Sequence, residues 1–241
     1  MNAFAALGVG DKLTSLLKMQ GIKVPTPIQQ AAIPSIFKGK DFIGRAQTGT
    51  GKTLAYLLPT MQRVDREKGA TQVLIMTPTR ELSKQVFDVF RPFALELGLD
   101  GVDIIGGRTI ENQLQKLKRD PQVIIGTPGR LLDHIRRRSL DLSQVKTVIL
   151  DEADQMLANG FREDIEALVD ETPKNRQLLL FSATMPEEAV RLARKYMKHP
   201  AVVDVSEKVA ASTVEQRVYE TTKPREFKLL VKQLTEMNPY M

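Results

Sequence analysis

Seven short apolar runs recur along the chain and alternate with longer stretches of helical spacing. The runs are continuously apolar instead of alternating, which is typical of strands that are buried on both faces of a parallel sheet. The pattern predicts an α/β fold in which a mostly parallel sheet has helices on both faces. The predicted strands are Asp41 to Gly44, Gln72 to Met76, Val102 to Ile105, Gln122 to Gly126, Thr147 to Leu150, Gln177 to Phe181 and Ala201 to Val205.

The stretches between these runs have the apolar spacing of helices that face a core. In the helix predicted from Asp11 to Gln20, three leucines share one face and Gly21 is a stop signal. A second helix is predicted from Glu163 to Asp170, before Pro173. The stretch from Val214 to Met237 predicts a strand, a turn and a helix.

Composition narrows the class of protein. The chain has 241 residues, of which 42% are hydrophobic, and this is enough for one substantial core and slightly more than one compact domain usually needs. There is no cysteine, which excludes a disulfide framework, thiolate zinc sites and a cysteine nucleophile. No apolar run approaches the roughly 18 residues that span a bilayer, and the first residues do not resemble a signal peptide. We therefore expect a cytoplasmic protein with no membrane partner.

The formal net charge is +6. Residues 201–241 hold six acidic and six basic side chains, so the whole excess of positive charge lies in the first 200 residues. A basic balance of this size suits a polyanionic partner.

The loop after the first predicted strand has the composition of a phosphate-binding loop. In open parallel sheets, ligands bind at the carboxyl ends of the strands. Here "AQTGTGKT" follows the strand around Phe42, and its glycines allow the backbone N–H groups to point inward, while Lys52 can reach phosphates and Thr53 can ligate Mg²⁺. An ordinary Gly-Thr connection would not explain Lys52 and Thr53. The predicted nucleotide-binding residues of the loop are Ala46, where the strict pattern has glycine, and Gln47, Thr48, Gly49, Thr50, Gly51, Lys52 and Thr53.

Three carboxylates follow the strand in "TVILDEADQML". Alone, such a cluster is more often a helix N-terminal cap than a metal site. Beside the loop at Lys52, however, Asp151 stands where an acidic residue that holds Mg²⁺ is expected, and Glu152 could activate the water that attacks the γ phosphate. The residues predicted to be catalytic are therefore Lys52, Asp151 and Glu152.

With these motifs, the sequence resembles the DEAD-box family of ATP-dependent RNA helicases over at least residues 4–205. The resemblance implies a RecA-like P-loop fold, ATP and Mg²⁺ as cofactors, and RNA as partner. The segment "GIKVPTPIQ" resembles the family's Q motif, which implies that Gln29 reads the adenine base and that Phe4 is the isolated upstream aromatic of the ATP site. Ile22 stands where the family usually has phenylalanine.

Three further motifs of the family follow three of the predicted strands. The resemblance implies that they line a groove for single-stranded RNA and contact mainly its backbone, which predicts little sequence specificity. Any one of them alone would be interpreted as a capped connection between strand and helix. The implied RNA-binding residues are Pro78, Thr79, Arg80, Gly106, Gly107, Thr127, Pro128, Gly129 and Arg130.

The resemblance also implies a coupling role for "SAT". In the family, Ser182 and Thr184 act with the last carboxylate of the tetrapeptide, Asp154, to couple nucleotide state to unwinding of RNA. As an isolated tripeptide, "SAT" would indicate only a helix cap.

Two domains are expected by analogy with the family. Residues 1–206 would be the N-terminal RecA-like ATP-binding domain, and residues 207–241 a linker and the truncated start of a second RecA-like domain. The missing remainder would supply the arginines that stabilise the transition state, so this fragment is expected to hydrolyse little ATP. An ATP-dependent RNA clamp that does not unwind, and another P-loop nucleic-acid motor, are the alternative functions.

Overall fold

The computed structural model describes residues 2–206 and 223–237, and the chain divides into two compact units, the first of which ends at Ser206. In the first unit, seven parallel strands form one sheet in the order β3-β4-β2-β5-β6-β1-β7. The strands are β1 (Phe42–Arg45), β2 (Val73–Met76), β3 (Gly101–Ile104), β4 (Val123–Gly126), β5 (Thr147–Leu150), β6 (Gln177–Ser182) and β7 (Ala201–Asp204).

Helices connect the strands and cover both faces of the sheet. The α-helices of this unit are α1 (Asp11–Met19), α2 (Pro27–Phe37), α3 (Lys52–Met61), α4 (Arg80–Leu97), α5 (Ile110–Leu117), α6 (Pro128–Arg136), α7 (Ala153–Ala158), α8 (Arg162–Asp170) and α9 (Glu187–Tyr196). A short 3-10 helix, Ala5–Leu7, precedes α1.

The α/β class, the parallel sheet and all seven predicted strands are confirmed. The two helices predicted from apolar spacing are also present, as α1 and α8. Strand β2 illustrates burial on both faces, because Val73 and Ile75 belong to the core under α2, α3 and α4, whereas Leu74 and Met76 belong to the core under α6, α8 and α9. Full burial of such side chains stabilises the fold by roughly 1.5–3 kcal/mol each.

Strand β7 corrects the prediction of burial on both faces. It lies at the edge of the sheet and pairs with β1. Val203 packs against the core on one side, but Val202, on the other side, is 67% exposed. Because an apolar run alone does not reveal which strand ends the sheet, the sequence pattern could not distinguish β7 from the central strands.

The second unit is described for residues 223–237. It contains a 3-10 helix, Lys223–Arg225, and α10 (Glu226–Met237), which agrees with the helix predicted there. Phe227, Leu230 and Val231 on α10 are exposed large hydrophobic side chains. The strand predicted from Val214 lies outside the described residues. In the described part of the chain, no helix is long and apolar enough to cross a membrane.

Candidate active site at the carboxyl edge of the sheet

The phosphate-type loop leaves β1 and enters α3 through two left-handed glycines. The N–H of Ala46 still donates to the Ser182 carbonyl (3.0 Å), so the β1–β6 pairing continues one residue beyond the strand. Gly49 and Gly51 have φ values of 82° and 89°, which L side chains rarely adopt. A Cβ at Gly51 would also lie 2.4 Å from Nε2 of Gln29. The glycine at this position is therefore required by both backbone conformation and space.

Lys52 begins α3 and is only 6% exposed. Its Nζ donates a hydrogen bond to the Ala46 carbonyl at 3.2 Å, so the loop wraps around its own lysine. The N-terminus of α3 adds free N–H groups and the positive end of the helix dipole at the same place. The loop thus presents a buried cation and backbone donors, the chemistry that binds phosphate.

Gln29 is already engaged by protein groups at both ends of its amide. Its Oε1 accepts the N–H of Thr26 (3.0 Å), the N-cap residue of α2, and its Nε2 donates to the Gly51 carbonyl (3.0 Å). The side chain is 2% exposed. An amide keeps one more donor and one more lone pair after these bonds. Gln29 therefore ties α2 to the loop, a contact that the sequence did not reveal.

Phe4 lies in the hydrophobic core and is 0% exposed. Its ring offers no free face to a base in this structure. The reason is the turn at Ala5–Leu7, which folds the N-terminal segment back so that Phe4 is enclosed by the same core as α1 and α2. Its assignment to the ATP site stays a prediction.

Asp151 follows β5 directly and is 2% exposed. Its Oδ2 accepts the hydroxyl of Tyr56 at 2.8 Å, and its Oδ1 accepts the N–H of Glu152 at 3.1 Å. Burial raises the pKa of Asp151 to about 6, although the hydrogen bond from Tyr56 and the charge of Lys52 act in the opposite direction. Because each carboxyl oxygen accepts one of these hydrogen bonds, the orientation of the Asp151 side chain at the end of β5 is fixed.

Tyr56 was not predicted as a site residue. Burial, followed by the charge of Asp151, raises the pKa of the Tyr56 hydroxyl well above its usual value, so Tyr56 is a neutral donor here. One signal was available in the sequence: Tyr56 lies four residues after Lys52, and such residues share one face of a helix. The signal is weak because the neighbours of Tyr56 are apolar.

Glu152 has a left-handed backbone, with φ 52° and ψ 51°, at the N-cap of α7. This conformation costs a residue other than glycine roughly 1–2 kcal/mol. Glu152 is 9% exposed, and its Oε1 accepts the hydroxyl of Thr48 at 3.4 Å. The left-handed turn therefore sets the carboxylate against the phosphate-type loop.

One cavity of about 670 Å³ joins the loop to the acidic residues. Residues from α4 and Ile22 add an apolar wall. Of the predicted ATP-site residues, Phe4, Gln29, Ala46, Gln47 and Thr50 do not line this cavity. The predicted residues that do line it are Thr48, Gly49, Gly51, Lys52, Thr53, Asp151 and Glu152.

The chemistry of this cavity fits Mg²⁺. Among the described residues there is no group of three His, Cys, Asp or Glu side chains that could hold a metal by itself. Mg²⁺ does not need one, because it commonly takes one or two carboxylates, a few waters and the phosphates of its nucleotide. The oxygens of Asp151 and Thr53 are hard ligands of that kind.

A second cavity, of about 710 Å³, lies where β2, β3 and β4 end. It brings together the three motifs interpreted as RNA-binding. Gly107 and Pro128 are beside it but do not line it, and Phe161 lines it without having been predicted. We call this cavity the strand-end groove; it is lined by Pro78, Thr79, Arg80, Glu81, Gly106, Thr127, Gly129, Arg130, Asp133 and Phe161.

The two arginines of the strand-end groove are held differently. Arg80 makes no hydrogen bond or ion pair within the described residues, and its guanidinium lies over the Gly106-Gly107 backbone, where a Cβ on Gly107 would be 2.4 Å from Nη1. Arg130 donates from Nη2 to the Arg108 carbonyl (3.3 Å), and its Nη1 lies 3.8 Å from Asp133. The glycines therefore make room for Arg80.

Asp154 joins the acidic turn to the loop after β6. Its Oδ2 accepts both the N–H (2.9 Å) and the hydroxyl (2.7 Å) of Thr184, and its own N–H donates to Ser182 Oγ (3.2 Å). Burial raises the pKa of Asp154, but the hydrogen bonds from Thr184 and Ser182 outweigh this and hold it below the usual value. These three residues, predicted to act together, are in direct contact.

Comparisons with known proteins agree with this geometry. The DEAD/DEAH box helicase family matches residues 26–192. The chain is 42% identical over 240 residues to the DEAD-box ATP-dependent RNA helicase CshA of Bacillus cereus, covering 99% of this chain and 46% of that protein. It is 43% identical over 219 residues to the RNA helicase CrhR of Synechocystis, covering 90% of this chain and 44% of that protein. The chain thus spans about half the length of these relatives.

A solved structure shows the same fold. The crystal structure of a DEAD box protein from the hyperthermophile Methanococcus jannaschii aligns with a TM-score of 0.80 and 36% identity, covering 96% of this chain and 63% of that one. The family match extends over more than half of the chain and includes the loop at Lys52 and the acidic tetrapeptide at Asp151. The chain belongs to the DEAD/DEAH box helicase family.

Proposed function

We propose that this chain is the nucleotide-binding part of an ATP-dependent RNA helicase that couples RNA-stimulated ATP hydrolysis to local unwinding of RNA duplexes. The observation that supports it best is the single cavity in which Lys52, Thr53, Asp151 and Glu152 meet. The relatives named as ATP-dependent RNA helicases extend well beyond the length of this chain, so the activity is proposed for the whole protein.

The proposed hydrolytic step uses the groups that meet in the cavity. Lys52 and the N–H groups of the loop would bind the phosphates, and Thr53 and Asp151 would hold Mg²⁺. Bound Mg²⁺ neutralises charge that develops between the phosphates. Glu152 orients a water toward the γ phosphorus and accepts its proton as the bond to the β–γ bridging oxygen breaks. Gln29 is proposed to select adenine, using the donor and lone pair that its protein contacts leave free. Phe4, whose ring the core encloses, is proposed to support the adenine site from within the core.

RNA is proposed to bind in the strand-end groove through its backbone. Arg80 and Arg130 supply positive charge, and the hydroxyl of Thr127 is not used as a helix cap. The hydroxyl of Thr79 accepts the N–H of Leu82 as a cap and can still donate to phosphate. The groove has no stacked aromatic platform, since Phe161 is its one aromatic residue, and this favours contacts to phosphate and ribose over reading of bases.

Coupling between the two sites is proposed to pass through Asp154. Asp154 is two residues from Glu152; its carboxylate accepts two hydrogen bonds from Thr184, and its backbone N–H donates to the Ser182 hydroxyl. A change in the acidic turn would therefore move the loop after β6. Residues 207–241 are proposed to be the linker and the beginning of a second RecA-like domain, and the cytoplasm is proposed as the compartment.

The test uses the full-length parent protein. Glu152→Gln should lower RNA-stimulated ATP hydrolysis by about 100-fold or more, because a positioned general base contributes roughly 10²–10⁴ in rate. Glu163→Gln, the same change at an exposed position in the first turn of α8, is the matched control. Nucleotide affinity should be unchanged in both variants.

The result also separates the alternatives. If Glu152→Gln hydrolyses ATP at the wild-type rate, the proposed catalytic role is wrong. A wild-type protein that binds ATP and RNA without turnover would indicate a clamp. Stronger stimulation by DNA than by RNA would indicate a different nucleic-acid motor.

A further inference from the structure

The hydroxyl of Tyr56 is a polar group on a helix face that is otherwise apolar. Tyr56 lies on α3 and is 0% exposed. Its ring packs against Phe181 of β6, with 5.3 Å between centroids and 54° between ring planes. Because the core fixes the ring, the position of the hydroxyl is fixed as well.

This hydroxyl reaches one of the two side chains proposed to hold Mg²⁺. It donates to Oδ2 of Asp151 at 2.8 Å. The other oxygen of Asp151 is held by the N–H of Glu152. Tyr56 is therefore the side chain through which α3 sets the rotation of the Asp151 carboxylate.

Packing alone does not explain a hydroxyl at this position. Phenylalanine would fill the same space against Phe181, and a buried hydroxyl costs free energy unless it is hydrogen-bonded. Partners behind a metal ligand fix its orientation, and their removal commonly weakens metal affinity by about 10- to 100-fold. A bond from the phosphate-loop helix to the carboxylate of β5 has the geometry of such a partner.

We propose that Tyr56 is a positioning residue that aims the Asp151 carboxylate at the Mg²⁺ of a bound nucleotide. Tyr56 itself does not line the cavity, so it would act only through Asp151. Its hydroxyl links α3 to the carboxylate that follows β5, so that the Asp151 carboxylate is oriented before the nucleotide arrives. This inference rests on the proposed function, in particular on the assignment of Thr53 and Asp151 to Mg²⁺.

The test measures how strongly Mg²⁺ supports ADP binding in the 241-residue chain, without any turnover. ADP affinity is determined by calorimetric titration with and without Mg²⁺. The readout is the dissociation constant without Mg²⁺ divided by the dissociation constant with Mg²⁺. Tyr56→Phe should lower this ratio about tenfold, the lower end of the effect expected for such a partner, while metal-free ADP affinity stays within about twofold of the wild type.

A matched control is available in the same chain. Tyr196→Phe removes a hydroxyl that also donates to a carboxylate, Asp170 Oδ2 at 3.2 Å, away from the cavity. It should leave the ratio unchanged. Tyr56→Met, which also lacks the hydroxyl but keeps an apolar side chain, should reproduce the effect of Tyr56→Phe if the hydroxyl is what matters.

The outcomes are distinguishable. An unchanged ratio in Tyr56→Phe or in Tyr56→Met, with metal-free binding intact, would overturn the positioning role. If ADP affinity falls both with and without Mg²⁺, the positioning role is also overturned, because such a result would show that Tyr56 only supports the fold. If the wild type itself shows no effect of Mg²⁺, or if Asp151→Asn leaves the ratio unchanged, the metal assignment under the proposed function fails instead.

Discussion

The cavity at Lys52 and the strand-end groove occupy the same edge of one sheet but are built in opposite ways. In the cavity, three charged groups of the loop and the acidic turn are buried and bonded to protein: Lys52 to the Ala46 carbonyl, Asp151 to Tyr56, and Glu152 to Thr48. In the strand-end groove, Arg80 is exposed and makes no hydrogen bond or ion pair within the described residues, and Arg130 is partly exposed and donates to one backbone carbonyl. The first is a buried network, and the second is a more open charged surface.

The difference predicts how each site responds to change. Buried charges interact strongly because water does not screen them, and each depends on its partner. Exposed cations act mainly through long-range charge, so their contributions are smaller, roughly additive and sensitive to salt. Substitutions in the cavity should therefore have large and coupled effects, whereas those in the groove should be modest and independent.

Replacing Lys52 should weaken nucleotide binding in the cavity and leave RNA binding in the strand-end groove unchanged. Lys52→Ala is expected to weaken ATP binding by about 100-fold, since truncation of a buried, hydrogen-bonded charge facing an opposite charge costs roughly 2–5 kcal/mol. Titration with a fluorescent ATP analogue measures this. Lys38→Ala, at an exposed position after α2, is the control. An ATP affinity within about twofold of the wild type would refute the role of Lys52.

Neutralising Asp151 should stabilise the fold while damaging the site. The folded-state pKa of Asp151, about 6, is higher than its ordinary value of 3.8, so the folded protein binds this proton more tightly than the unfolded chain does. Ionisation therefore opposes folding. The cost is fully present above pH 6 and disappears as the pH falls toward 4. Without metal, Asp151→Asn should raise the free energy of unfolding by about 2 kcal/mol at pH 7.5.

Urea unfolding followed by circular dichroism, at pH 7.5 and at pH 4.5 with a chelator present, measures the difference between the two proteins. Most of the advantage of Asp151→Asn should be gone at pH 4.5. A variant that is less stable than the wild type at pH 7.5 would show that the hydrogen bonds of the carboxylate outweigh its burial.

Removing Arg80 should have the smallest effect on affinity, and this effect should depend on salt. Arg80→Ala is expected to weaken binding of single-stranded RNA by about tenfold and to lower the slope of log affinity against log salt by about one. Fluorescence anisotropy at several salt concentrations measures both quantities. Arg136→Ala, an exposed arginine at the end of α6, is the matched control, and ADP affinity should not change. An unchanged salt slope would contradict a contact with phosphate.

Regular structure was predictable because its signals are local. Each of the seven strands contains a short apolar run, although β3 includes Asp103 and β1 ends in Gly44 and Arg45, and α1 and α8 show helical spacing. The order of the strands was not predictable, because it depends on which connections cross the sheet, and no local pattern reveals that. The exposure of β7 follows from its place at the edge and was missed for the same reason.

In the site, the motifs identified the loop and the acidic residues, but the contacts between them depend on the tertiary structure. Tyr56 meets Asp151 across 95 positions of sequence, and Gln29 meets Gly51 across 22. Arg80 follows β2 and Gly106-Gly107 follows β3. The two meet only because β2 and β3 lie on either side of β4 in the sheet. Phe4 was placed in the ATP site by resemblance, and the structure buries it in the core.

The left-handed backbone of Glu152 has a consequence for how this protein can drift under mutation. Glycine is the residue that relieves such a conformation most readily, yet it would also delete the carboxylate. A change of Glu152 to glycine would therefore relax the backbone and remove the proposed base in a single substitution. Stability of the turn and the proposed chemistry place opposite demands on this one residue.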